Sequence, residues 1–201
     1  EFLNFGGYPG SYPLIKNKTR WQQYMKESIV ETIITKDILY HIQVKSPALF
    51  LLLFYNLGSF IGQTASYNKL LGQLQDRGNI DLIKHYLDLY EKAFLIKLIF
   101  KYSKNELRKK SSSPKILFMT TSLASFHLQS PSPELLGRYF ESTVGSDLVR
   151  AGLEPSYWHE GDYEVDFILE YQSKLIAIEV KSGRNKKSKS LEVFHEKYKP
   201  H

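Results

Sequence analysis

Between residues 164 and 183 the chain reads EVDFILEYQSKLIAIEVKSG. Two apolar runs, each long enough for one strand, are joined by a Gln172-Ser173-Lys174 turn, and charge interrupts both: Asp166 in the first, Glu179 and Lys181 in the second. Side chains alternate across a strand, so Glu179 and Lys181, two residues apart, share a face. Twelve residues lie between Asp166 and Glu179, enough for one strand to turn and the next to come alongside, so the three side chains can converge. Burying two carboxylates and an ammonium at a strand edge is costly unless they pair or bind a cation. Any fold for this chain has to meet that cost.

The surrounding pattern supplies a frame. From Pro133 to Ala151, Leu136, Phe140, Val144 and Leu148 recur every four residues, and Gly152 stands where a helix would stop. Three strand-like segments follow, Tyr157 to His159, Tyr163 to Leu169 and Leu175 to Val180. A helix and three short consecutive strands predict an α/β sandwich with a hairpin-built sheet. The chemistry that uses such residues is metal-assisted phosphodiester hydrolysis. Asp166 and Glu179 would hold Mg²⁺ or Mn²⁺, and Lys181 would orient the attacking water or help deprotonate it and stabilise growing negative charge. Glu141, on the preceding helix, is a fourth catalytic candidate, as a further ligand or as a group orienting one. The bland alternative is a Glu179–Lys181 ion pair, with Asp166 simply leaving the sheet edge.

The first half reads as mostly helical. FLNFGGYPGSYP is an irregular connector whose rings should pack onto the body that follows. Trp21, Tyr24, Met25, Ile29, Ile33 and Ile34 mark one core helix, and Pro47 through Leu57 another. A short helix from Tyr67 to Leu74, a Gly78-Asn79 break, and a helix capped by Asn79 with Ile83, Tyr86, Leu87, Tyr90 and Phe94 on one stripe come next. Two strand-like runs, Leu95 to Tyr102 and Lys115 to Met119, flank a basic loop. That order is the order of a winged helix, here about 59–121. Lys84, His85, Asp88 and Lys92 would form its groove-facing side, where Asp88 and Glu91 meet phosphates badly. The Ser/Pro-rich stretch at 122–133 is the boundary expected between a helical unit, 1–125, and the second unit, 126–201. The fold class is therefore α+β.

Charge divides unevenly. The 201 residues carry a net charge of +6, but residues 101–115 hold six basic side chains against one acid, and residues 181–201 hold seven against two. Lys104, Arg108, Lys109, Lys110, Arg184, Lys186 and Lys187 are the candidates for gripping a nucleic-acid backbone, although a solvated loop and tail would look the same. With no cysteine, disulfide scaffolds, thiolate metal sites and cysteine nucleophiles are excluded. The longest apolar run, Ala48 to Tyr55, is far short of the roughly 20 residues of a membrane-crossing helix. A soluble, cytoplasmic protein with no membrane partner is expected.

Several stretches together resemble the C-terminal region of prokaryotic AAA+-type ATPases. They are FGGYP near the start, W-x-x-Y at Trp21 to Tyr24, Lys36-Asp37, PKILF at 114–118, LGRYFES at 136–142, YWHEGDYEVDFIL at 157–169 and IAIEVKSG at 176–183. The resemblance spans nearly the whole chain. It implies a P-loop domain upstream, then a winged helix and a domain of unknown function with a PD-(D/E)XK restriction-endonuclease-like core, with Asp166, Glu179 and Lys181 on the signature positions. The family's usual D-x-G-L after PKxxF is replaced here by Thr120-Thr121-Ser122-Leu123. No G-x-x-x-x-G-K-[ST] occurs, so ATP would be bound only by the upstream domain. The opening without methionine agrees with a piece cut from that longer chain, and the sheet is expected to lack its usual continuation past the KSG strand.

Three readings stay open: a metal-dependent nuclease acting on DNA, a catalytically silent nucleic-acid-binding module, and a protein-interaction domain coupling the upstream ATPase to a partner.

Overall fold

Asn17, Ser66, Asn79, Ser132 and Ser188 each accept a backbone N–H three residues ahead, and each starts a helix. Satisfying those otherwise orphaned donors fixes where the chain enters its helices. A computed structural model describes residues 2–75, 77–105, 112–127, 131–181 and 188–200. In order, these form α1 (Phe2–Phe5), α2 (Lys18–Gln23), α3 (Pro47–Leu57), α4 (Tyr67–Gln73), α5 (Ile80–Lys92), β1 (Ile96–Ile99) and β2 (Lys115–Phe118). Then come α6 (Ser122–Ser125), α7 (Pro133–Arg150), β3 (Ser156–Glu160), β4 (Tyr163–Tyr171), β5 (Lys174–Ile178) and α8 (Lys189–Tyr198). The chain is α+β, with a mostly helical first half. Among the described residues, no helix is long and apolar enough to cross a membrane.

The continuation of α2 departs from the sequence reading in an instructive way. Residues Tyr24–Val30 and Ile33–Leu39 wind as π-helix, with the Glu31 N–H bonded to the Lys26 carbonyl five residues back. Each wider turn delays the core-facing position by one residue. The buried series is therefore Trp21, Met25, Val30, Ile34 and Ile38, whereas Ile29 and Ile33, expected in the core, are only partly covered. In the opening connector, the Phe5 ring meets Trp21 edge-on at 5.0 Å, but Phe2 and Tyr12 stay exposed.

Helix α5 buries Ile83, Tyr86, Leu87 and Tyr90 as expected. Phe94 does not follow them: its φ of 55° takes the chain into the left-handed region, the Leu95 N–H closes back on the Tyr90 carbonyl, and the ring is 77% exposed. This helix-terminating turn swings Phe94 off the stripe. At the other end, the Asn79 side chain accepts the Leu82 N–H at 2.8 Å. Asn79→Ala is expected to lower stability by about 1 kcal/mol, read as the shift in urea midpoint; an unchanged midpoint would show that water replaces this cap without loss.

Strands β1 and β2 pair antiparallel, Ile96 opposite Phe118 through Ile99 opposite Lys115. The outer edge of β2 is not free. Gly62 and Gln63 exchange hydrogen bonds with Ile116, the Ala65 N–H reaches the Pro114 carbonyl, and the Phe118 N–H reaches the Ser142 hydroxyl of α7.

In the second half, β3, β4 and β5 form an antiparallel meander, with α7 on one side and α8 on the other. Gln172 and Ser173, both with positive φ, make the two-residue turn between β4 and β5. Ser156 pairs with Ile168 but Trp158 pairs with Val165, so Asp166 and Phe167 together stand opposite Tyr157. This β-bulge turns both side chains toward α7, where strict alternation would have sent them to opposite faces. Trp158 points the other way and packs on Phe194 of α8 at 5.2 Å, as a core residue.

Helix α7 corrects a second expectation. Leu136, Phe140, Val144 and Leu148 are only partly buried, while Tyr139, Ser142, Gly145 and Ser146 are fully buried. Small residues take the inner face because β2 and β4 both press against the helix there. Gly152, at φ 79°, ends it as expected. The two halves also meet along the sheet: Tyr157 of β3 exchanges backbone hydrogen bonds with Phe100 and Tyr102 just past β1, and Ile99 and Leu117 share an apolar cluster with Tyr157 and Phe167.

Candidate functional site

Asp166 lies where the β4 bulge aims it, and it also ends the neighbouring strand. Its Oδ2 accepts the Val180 N–H at 2.7 Å, a donor that would otherwise continue the ladder. Consequently β5 stops at Ile178, and Glu179 and Lys181 sit just beyond the strand instead of within it as the alternation implied. They still meet, as an ion pair between Lys181 Nζ and Glu179 Oε1.

Glu141 comes from α7. Between it and Asp166 stands a residue that sequence reasoning counted with the basic loop: Lys115, the first residue of β2, 1% exposed. Its Nζ lies 2.5 Å from Glu141 Oε1, 2.9 Å from Glu164 Oε1 and 3.9 Å from Asp166 Oδ1. The Glu164 contact is a hydrogen bond and the Glu141 contact an ion pair. Glu164 was legible as the same-face neighbour of Asp166 two positions back. Lys115 left only one signal, that it opens the apolar run KILF.

Four carboxylates and two ammonium groups thus share one cluster, net −2 if all are ionised. Burial pushes the Glu141 carboxyl up to about 7, with Asp166 adding to the rise and Lys115 opposing it. Burial likewise raises Asp166, against the Val180 hydrogen bond and Lys115, and raises Glu179, against Lys181. Lys115 is held far above the ordinary lysine range, since Glu141 and Glu164 outweigh its own burial. At pH values where Glu141 keeps its proton, Glu164 is the group that holds the ammonium. The Glu179 hydrogen bond raises Lys181, so that side chain remains a cation at neutral pH.

Glu179 Oε2 is buried without a partner. An orphaned carboxylate oxygen, hard oxygen donors and a residual negative charge fit a divalent cation in donor chemistry. Among the described residues, no three potential ligands are already gathered around one metal position.

Lys104 is exposed, while Arg108, Lys109, Lys110, Arg184, Lys186 and Lys187 lie outside the described residues. On α5, Lys84, His85, Asp88 and Lys92 are exposed, but Lys92 pairs with Asp88 at 2.7 Å and Lys84 sits over the Tyr67 ring. Between Thr120 and Ser125, the Thr120 hydroxyl accepts the Gly7 N–H and the Ser125 hydroxyl donates to the Asn4 carbonyl, so this stretch anchors the opening connector.

Fold and cluster define an α+β chain in which a strand from the helical half completes an acidic site in the sheet-bearing half. The chain belongs to the family of the domain of unknown function DUF8612, matched over residues 1–134. Residues 136–201 match a second domain of unknown function, DUF4143, one often associated with AAA-type ATPases. No curated protein and no solved structure matches the chain.

Proposed function

We propose that the chain is the C-terminal module of an AAA-type ATPase and that its second unit, beginning near residue 126, is a restriction-endonuclease-like domain acting on DNA phosphodiesters. The observation that carries this reading is the meeting of Glu141, Asp166, Glu179 and Lys181 in one partly buried, net-negative cluster with an unpartnered Glu179 oxygen. Asp166 and Glu179 would hold Mg²⁺ or Mn²⁺. The bound ion supplies polarisation of a phosphate oxygen and a more acidic water. Lys181, half-exposed and protonated, offers its ammonium to charge growing on the phosphate. Glu141, facing Asp166 across Lys115, would join as a further ligand or orient one. Helices α4 and α5 with the β1–β2 hairpin make the winged-helix part, and Lys104, Arg108, Lys109, Lys110, Arg184, Lys186 and Lys187 would follow the DNA backbone. ATP would be handled upstream, in the cytoplasm.

The test is cleavage of plasmid and single-stranded DNA with Mn²⁺. Lys181→Ala and Asp166→Asn are expected to lose at least about 100-fold in rate while far-ultraviolet circular dichroism stays that of the wild type. A folded wild-type chain that neither cleaves nor binds Mn²⁺ would end this reading. Lys115 favours a second one, because an ammonium already set among the acids suits a catalytically silent nucleic-acid-binding or protein-interaction module. Salt-dependent DNA binding without cleavage would mark the nucleic-acid form.

A further inference from the structure

Lys115 is the cluster's most deeply buried charged group, and every carboxylate it touches comes from the other half of the chain. Glu141 is on α7, and Glu164 and Asp166 are on β4. A lysine rarely gives up its hydration unless fixed acids replace it. Three do so here, and two of them, Glu141 and Asp166, also border the proposed metal position.

We propose that Lys115 is a built-in cation that competes with a divalent metal for the Glu141 and Asp166 side of this cluster. The inference rests on the reading of the cluster as a metal site. Mg²⁺ takes oxygens at about 2.0–2.1 Å, and with Glu141 as a further ligand it would draw on Glu141 Oε1 and Asp166 Oδ1, the oxygens that Lys115 Nζ now faces at 2.5 and 3.9 Å. A dication and an ammonium cannot neutralise the same oxygens without repelling each other. Occupation by metal therefore requires the ammonium to withdraw or the metal to bind weakly. Because Lys115 belongs to β2, the seating of the β1–β2 hairpin against α7 and β4 sets how readily the site fills, giving the helical half control over the acidic one.

Mn²⁺ binding to the whole chain, measured by calorimetry and by the electron paramagnetic resonance of free Mn²⁺, tests this. Lys115→Met keeps the length of the side chain and removes its charge; Lys115→Arg keeps the charge. Lys115→Met is expected to bind Mn²⁺ roughly tenfold more tightly than the wild type, or better. Lys115→Arg should show no gain, and Asp166→Asn added to Lys115→Met should abolish it. Should Lys115→Met be unfolded without metal, Mn²⁺ is expected to restore its circular dichroism and a cooperative melt. Failure of millimolar Mn²⁺ to do so overturns the proposal. Equal Mn²⁺ affinity in the wild type and Lys115→Met overturns competition while leaving the metal site standing. No Mn²⁺ binding by any of the variants removes both readings.

Discussion

Gly145→Val is expected to cost about 3 kcal/mol of stability, lowering the melting midpoint by about 6–12 °C for a chain of this size. A Cβ at this position would stand 2.7 Å from Leu117 Cδ1 and from the edge of the Phe167 ring. Both neighbours are fully buried, one on β2 and one on β4, so neither can swing into solvent. A glycine inside a helix costs about 1 kcal/mol relative to alanine, and this one is explained by the space two strands take from the helix. Gly137, earlier on the same helix, has nothing within 4 Å of its added Cβ. Gly137→Ala should therefore gain about 0.5–1 kcal/mol. Thermal and urea denaturation of the two variants side by side give the check. A Gly145→Val protein within about 1 kcal/mol of the wild type would mean that α7 does not lie as close to the strands as described.

The second large effect is a pH dependence of unusual sign. For most carboxylates in folded proteins, stability falls on acidification. Here Glu141 goes from an ordinary 4.5 up to about 7 in the fold, so the folded chain binds that proton more tightly than the unfolded one. Its contribution is greatest below the ordinary value and is lost as pH rises through neutrality, by an amount of order 1–3 kcal/mol. Asp166 and Glu179 are raised by burial as well and act in the same direction. Lys115 adds no slope in this window, since it is protonated in both states. The urea midpoint is expected to be higher near pH 5 than near pH 8, with most of the difference gone in Glu141→Gln. A Glu141→Gln protein with an unaltered pH slope would show that Lys115 keeps Glu141 ionised in the fold.

Asp166, Glu179 and Lys181 could be singled out in the sequence because charge inside apolar runs is conspicuous and the strand and turn lengths bring them together, and Glu141 because it stands on the helix just before that sheet. What escaped has local physical causes. The β4 bulge at Asp166 and Phe167 breaks the alternation on which face assignments depend, and Asp166 itself ends β5 before Glu179. The π-helical turns after α2 move burial from Ile29 to Val30, and the left-handed turn at Phe94 frees that ring. Lys115 was hidden differently: beside a basic loop it looks like one more surface lysine, and its partner Glu164 lies 49 positions away. No local pattern distinguishes a lysine awaiting a distant carboxylate from one facing water. The mostly helical first half, the caps at Asn79 and Gly152 and the three-stranded meander rest on short-range rules and follow from the chain directly.

Four residues long, β2 is bonded to β1 on one edge and to residues 62–63 on the other, joined to α7 through Ser142, and inserted into the acidic cluster through Lys115. The two matched families meet between residues 134 and 136, yet the charge balance of the later one depends on a side chain from the earlier one. Without the earlier part, Glu141, Glu164 and Asp166 would stand together with no ammonium between them. A change of charge at position 115 alters the balance around all three acids at once, so β2 carries part of the electrostatics of both parts.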